Sequence, residues 1–151
     1  MSYRIYTAGK MAGLSKRDQI GWRYKIEQCV RDAADMFGIP QSSLKFIHPP
    51  VYYTYGEKHY QSEKEIKDWD INQVCKSDIV IVNLDSVDDS IGTHYELATV
   101  DAVNSFNNKH IFVIGVGGKG KVLHPWIEDT LHRREEDFES AANYIVHYLL
   151  V

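Results

Sequence analysis

Asp78-Ile79-Val80-Ile81-Val82-Asn83-Leu84-Asp85 is a short run rich in Val and Ile, closed at each end by a carboxylate. An apolar run of this length is the pattern of a strand covered on both faces, as in a parallel sheet. Ser86 to Ser90 then form a polar turn, and Ser90-Ile-Gly-Thr-His-Tyr-Glu-Leu97 leads into helical periodicity. In open α/β sheets ligands bind beyond the carboxyl ends of the strands, so chemistry is expected at this turn. Glu96 comes one turn before Val100 and two before Val103, in a stripe with Leu97 and Ala102, which points its carboxylate toward the sheet. Two readings stand for it: a catalytic group, or a first-turn acid that complements the positive end of the helix.

Outward from this strand the chain repeats the same alternation. Residues 3–8 read as a first strand ending at Gly9, and Ser15-Lys-Arg-Asp18 opens a helix. Trp22, Ile26, Cys29, Val30, Ala33 and Phe37 give that helix its stripe, and Gly38 with Pro40 ends it. Leu44–Ile47 is a second strand. The aromatic loop 48–60, with Tyr52, Tyr53, Tyr55 and Tyr60, is long enough to be a binding loop or lid. Ser62-Glu-Lys-Glu65 caps a second helix, on which Ile66, Trp69, Gln73 and Val74 face inward. Asp70 lies four residues from both Ile66 and Val74, inside the buried row. An ionisable group there is costly unless it is paired or useful, so capping a neighbouring backbone group and acting chemically are both open.

After the central strand, a helix runs to 104–108 and His110–Gly115 reads as a further strand. Gly115-Val-Gly117-Gly-Lys-Gly120 spells G-x-G-x-x-G, but no helix opens behind it, so a flexible glycine loop is expected instead of a dinucleotide fingerprint. A short helix over 126–132 starts after Pro125. A last helix carries Phe138, Ala141, Ala142, Ile145 and Leu149, with Glu135, Glu136 and Asp137 in its first turn. Its end, Tyr148-Leu-Leu-Val151, suits either a subunit interface or packing on the sheet. The predicted order is β-α-β-α-β-α-β-α-α. It implies a single domain over 1–151: an α/β fold with one doubly wound (Rossmann/flavodoxin-like) parallel sheet and helices on both faces.

The 151 residues carry a net charge of −4 and no basic block, which argues against nucleic acid as a partner. No run is apolar enough to span a membrane, and the first residues enter a strand without a signal-peptide pattern, so a cytoplasmic setting is expected. Cys29 and Cys75 read as small buried hydrophobes in a reducing compartment. His48, His59, His94, His110 and His124 lack metal-ligand spacing, so no metal is expected. No cofactor is expected either. No G-x-S-x-G is present and neither cysteine has an activating partner.

The ends of the strands therefore bring together Tyr6 with Gly9, the segment from Asp85 to Glu96, and the segment from Gly115 to His124, with Asp70 approaching from its helix. Two semi-buried carboxylates and a tyrosine are the equipment of glycoside chemistry, in which one carboxylate attacks the anomeric carbon and the other protonates the leaving group.

Ile5-Tyr-Thr-Ala-Gly-Lys-Met-Ala-Gly-Leu14, Asp70 eight residues before Asp78, and Gly92-Thr-His-Tyr-Glu-Leu97 together resemble the nucleoside 2-deoxyribosyltransferase family. That family includes the related 2′-deoxynucleoside 5′-phosphate N-hydrolases. Trp126-Ile-Glu-Asp-Thr-Leu131 also resembles the segment after the family's fourth strand. The resemblance implies that Glu96 is the nucleophile, Asp70 the acid/base beside the departing nucleobase, and Tyr6 the residue that positions Glu96. The loop tyrosines and Trp69 would sandwich the base.

The resemblance also implies a homo-oligomer, a dimer or higher, acting on a small-molecule nucleoside or nucleotide. Six residues before the nucleophile the transferases often carry an Asp for the sugar hydroxyl. Here that position is Ser90, with Asp89 one residue earlier, and the monophosphate hydrolases resemble this chain at Ser90. Gly9, Lys10, Gly92 and Thr93 complete the expected substrate contacts, and His124 stands where the transferases have an Asn. Transfer to a second base and hydrolysis by water both remain open. So does a non-catalytic nucleotide-binding or sensing module on the same fold, which His94 and His124 would motivate.

Overall fold

The computed structural model describes residues 1–53 and 61–150. The chain runs β1 (Tyr3–Ala8), α1 (Lys16–Met36), β2 (Leu44–Ile47), α2 (Pro49–Tyr52), α3 (Glu63–Cys75), β3 (Ile79–Asn83) and α4 (Ile91–Phe106). It continues with β4 (Phe112–Val116), α5 (Pro125–Thr130), β5 (Arg133–Glu135) and α6 (Phe138–Tyr144), extended by a π-helical turn over Ile145–Leu150. The strands form one sheet in the order β2-β1-β3-β4-β5. Every pairing is parallel, as in Ile5 with Ile79 and Ile81 with Ile114.

The strand period of two divides the core. Ile5, Phe46, Ile79, Ile81 and Ile114 meet α1 and α6 on one face. Tyr6, Ala8, Val80, Val82 and Val113 meet Val74 of α3 and Leu97 and Val100 of α4 on the other. Local capping agrees with the sequence: Ser15 accepts from Asp18 N, and Ser62 from Glu65 N.

Five expectations need correction. The sheet has a fifth strand: Arg133-Arg-Glu135 pairs with Ile114–Val116 although it carries no apolar pattern, and it takes Glu135 out of the last helix. That helix is instead capped by Asp137, whose side chain accepts from Ser140 N. The fourth strand begins at Phe112, because the Ile111 amide is taken by Asn104 Oδ1 at 2.7 Å. Ala102 is exposed and does not share the buried stripe of α4. The two cysteines are only half-buried.

Loop 48–60 opens with α2; Tyr55, His59 and Tyr60 lie outside the described residues. The last segment packs Ile145, Val146 and Leu150 into the core and leaves Tyr148 exposed. Among the described residues no helix is long and apolar enough to cross a membrane.

The glycine segment after β4 is a turn, with positive φ at Gly117, Gly118 and Gly120, and no helix opens before Pro125. Gly118 N donates to Asp85 Oδ1 at 2.7 Å. Lys121 Nζ reaches the carbonyls of Leu84 and Asp85 and pairs with Asp88 at 3.0 Å. Arg134 donates to the carbonyls of Gly118 and Lys121, both at 2.7 Å. The glycine turn thus ties the exits of β3 and β4 together.

Candidate active site

β1 ends at Ala8 beneath the N-terminal part of α4, and α3 lies beside α4 on the same face of the sheet. That packing brings Asp70 and Glu96 to one cavity of about 480 Å³, with Tyr6 buried within reach of both carboxyls. Its walls include Gly9 and Lys10 after β1, Ile66 and Asp70 of α3, and Asp89, Ser90, Gly92, Thr93 and Glu96 around the start of α4. Because α4 begins at Ile91, Glu96 stands in its second turn. The helix-dipole reading is therefore set aside, since the dipole acts within the first turn.

Glu96 is 7% exposed and Asp70 is half-buried. Burial pushes both carboxyls above the ordinary carboxylate range, and for Glu96 the neighbouring Asp70 charge adds to the rise. The Tyr6 side chain is fully buried, and its hydroxyl lies within reach of both carboxyls without a hydrogen bond of ordinary geometry to either. Asp70 Oδ1 and Glu96 Oε2 are likewise buried without a partner among the described residues. Native interiors pair nearly all such atoms, so this concentration marks a place built for something other than stability.

Two participants escaped the sequence reading. Arg23 is fully buried in α1, donating to the carbonyls of Gln19 and, at 3.1 Å, of Gly9, with Trp22 against its guanidinium. Burial lowers its pKa to about 10, opposed by Glu96, Tyr6, Tyr53 and Asp70, so it stays cationic at neutral pH. It favours the anionic form of both acids. Gln19, also buried, holds the loop after β1 through the carbonyls of Met11 and Leu14 at 3.0 Å each. The signal was present: Gln19, Arg23, Ile26, Val30 and Ala33 form a helical row of buried residues. Tyr53 was expected to stack on a base, but its hydroxyl donates to Asp70 Oδ2 at 2.6 Å.

Around the start of α4, the Ser90 and Thr93 hydroxyls share a 2.7 Å hydrogen bond, and both side chains are buried. Ser90 therefore does not cap a backbone N–H. At the mouth Lys10 Nζ pairs with Asp89 at 2.6 Å, which holds the Asp89 carboxyl below its usual range.

Two expected contacts lie elsewhere. Trp69 stands behind the wall, its ring 4.8 Å from that of Tyr52 and 5.9 Å from that of Tyr53. His124 is exposed and caps α5 by accepting from Trp126 N. It lines a separate groove with His94, Leu97, Ala98 and Asp101. The reason is helical periodicity: residues 92 and 96 face the carboxylate cavity, while 94, 97, 98 and 101 face α5.

No family model and no curated protein matches the chain by sequence. Solved structures do match. A 2-deoxyribosyltransferase from Bacillus psychrosaccharolyticus aligns at 23% identity and TM-score 0.65, covering 93% of this chain and 91% of its own. A conserved protein from Enterococcus faecalis V583 aligns at 15% identity and TM-score 0.75, covering 99% and 100%. A 2-desoxiribosyltransferase from Leishmania mexicana aligns at 14% identity and TM-score 0.56, covering 97% and 99%. The chain has the fold of the solved 2-deoxyribosyltransferases.

Proposed function

We propose that the protein cleaves the N-glycosidic bond of a 2′-deoxynucleoside or its 5′-monophosphate, passing the deoxyribosyl group to another nucleobase or to water. The observation that carries this reading is the convergence of Glu96 and Asp70, from two helices, on one cavity with an unpaired oxygen on each. With both acids raised by burial, and Glu96 further by the Asp70 charge, the pair holds a proton near neutral pH. In the free site that proton rests on Glu96, the more strongly raised of the two; reaction requires it to pass to Asp70, and Tyr6 and Arg23 favour the Glu96 anion so formed.

Glu96 then forms a bond to the anomeric carbon as the carbon–nitrogen bond breaks. The bonding pair departs with the base, which takes the proton from Asp70. In the second step the Asp70 carboxylate accepts a proton from the incoming base or water as the glycosyl ester opens. Lys10 and the Ser90 and Thr93 hydroxyls beside the N-terminus of α4 suit a 5′-phosphate.

The chain works as a homo-oligomer in this reading. Ile91, Tyr95 and Phe106 form an exposed apolar row on α4, and the first two also line the cavity mouth. Sedimentation of the purified chain tests the assembly.

Incubation with deoxynucleosides and their monophosphates, with and without a second base, tests the reaction. Free base or an exchanged nucleoside is expected, lost in Glu96→Ala. Calorimetric binding without base release would favour the sensing module instead.

A further inference from the structure

We infer that Tyr53 is a positioning residue for the leaving-group acid: by donating to Asp70 Oδ2 it places the transferable proton on Oδ1, and so governs the departure of bases that leave only when protonated. The inference rests on the glycosidic reading above and adds a residue that reading does not need.

The two oxygens of Asp70 differ. Oδ2 accepts the Tyr53 hydroxyl at 2.6 Å, whereas Oδ1 is buried with no partner among the described residues. A phenol carries a single hydrogen, and a carboxyl oxygen already accepting it leaves the acid's own hydrogen to the other oxygen. When Asp70 holds the shared proton, the proton therefore sits on Oδ1.

Tyr53 is held in place. It is 4% exposed, its ring stands edge-on to Trp69 at 86°, and Met11 Sδ lies 3.9 Å from its hydroxyl. The backbone carrying it is pinned as well. Tyr53 N donates to the Pro49 carbonyl at 3.2 Å, and Lys16 Nζ reaches the Pro50 carbonyl. Where this segment leaves β2, the buried His48 ring binds Thr7 Oγ1 at 2.8 Å and Glu27 Oε1 at 2.6 Å. None of these last contacts lines the cavity, and the chemistry has no other use for them.

The groups facing the Asp70 carboxyl are Tyr6 from β1, Tyr53, Glu96 from α4 and Arg23 from α1. Tyr53, Tyr6 and Arg23 favour its anion. A donor on Oδ2 keeps Asp70 a stronger acid than burial alone would leave it. In the step itself, the glycosidic bonding pair goes to the base and the Oδ1 proton goes to a ring nitrogen or carbonyl of that base. The Asp70 carboxylate left behind stays bonded to Tyr53.

The test is single-turnover base release by wild type and Tyr53→Phe from 2′-deoxyadenosine and 7-methyl-2′-deoxyguanosine, each also as its 5′-monophosphate. The methylated base departs neutral without a proton, so it bypasses the acid. Tyr53→Phe is expected to slow adenine release by about tenfold or more, the scale of a hydrogen bond to a charged group. Release of 7-methylguanine should stay within about twofold. The alkaline limb of the adenine profile should move to higher pH, because loss of the donor raises the Asp70 pKa. Equal slowing of both bases would overturn the inference and leave the glycosidic reading standing.

If wild type releases neither base, the glycosidic reading falls by itself. Titration of the Asp70 carboxyl carbon by NMR then decides the rest. An upward shift in Tyr53→Phe supports control of Asp70 by Tyr53, and an unchanged pKa refutes it.

Discussion

Replacing Glu96 by Gln should remove activity and raise stability together. A fully buried carboxyl is displaced upward by up to ~3–5 units, and each unit corresponds to ~1.4 kcal/mol. Arg23 and Tyr6 offset part of this by favouring the anion, so the ionised group costs the fold on the order of 2–3 kcal/mol. Glutamine keeps the shape but brings amide hydrogens beside the Arg23 cation, a penalty of about 1 kcal/mol. The net gain is roughly 1–2 kcal/mol, or about 3–6 °C in Tm for a chain of this size.

The pH dependence follows from the sign of the shift. The folded pKa lies above the unfolded one, so the anion's penalty is absent below the unfolded value of ~4.3 and grows until pH passes the folded value. Thermal unfolding of both proteins at about pH 4 and about pH 9 should show the variant's advantage only at the higher pH. A variant less stable than wild type at the higher pH would refute the reasoning. It would mean that the Glu96 anion is held by partners as a structural ion.

Arg23→Met keeps the volume and removes the cation; the acid limb of the rate profile should move to higher pH and activity at neutral pH fall about tenfold or more, read by initial rates across pH. Gly117→Ala places a Cβ 2.7 Å from Asp85 Oδ1 at φ 88°, so a loss of about 1–3 kcal/mol is expected in denaturant unfolding. Lys10→Ala should raise KM for a deoxynucleoside 5′-monophosphate by about tenfold or more while changing that of the free nucleoside little, as measured by base-release kinetics. Phe106→Glu should shift the chain toward monomer in sedimentation if α4 carries the subunit contact.

What the sequence made legible was whatever breaks a local pattern. β3 shows as an apolar run, and Glu96 and Asp70 show as acids inside apolar helical rows. β5 does not, because Arg133-Arg-Glu135 is a strand only by virtue of the ladder that β4 offers at the sheet edge. Arg23 broke the pattern as plainly as Asp70 did. A long cation in a helical row ordinarily snorkels, and only the tertiary fold shows its guanidinium fully buried within electrostatic range of the acids. The direction of a tyrosine hydroxyl is also tertiary, so Tyr53 read as a stacking ring and not as a donor to Asp70. His124 was placed by its position after the fourth strand. The register of α4 decided otherwise, turning the face toward α5 away from the face that holds Glu96.

Glu96 and Asp70 sit on neighbouring helices that rest on one another as well as on the sheet. The gap between the two oxygens is thus fixed by how α3 seats against α4, through apolar neighbours such as Val74, Leu97 and Val100. A methyl group gained or lost in that seam would widen or narrow the gap without touching the sugar. Carboxyl spacing separates a covalent ester from direct attack by water. On the glycosidic reading, the choice between the two stereochemical outcomes is therefore written in the hydrocarbon packing behind the acids as much as in the acids themselves.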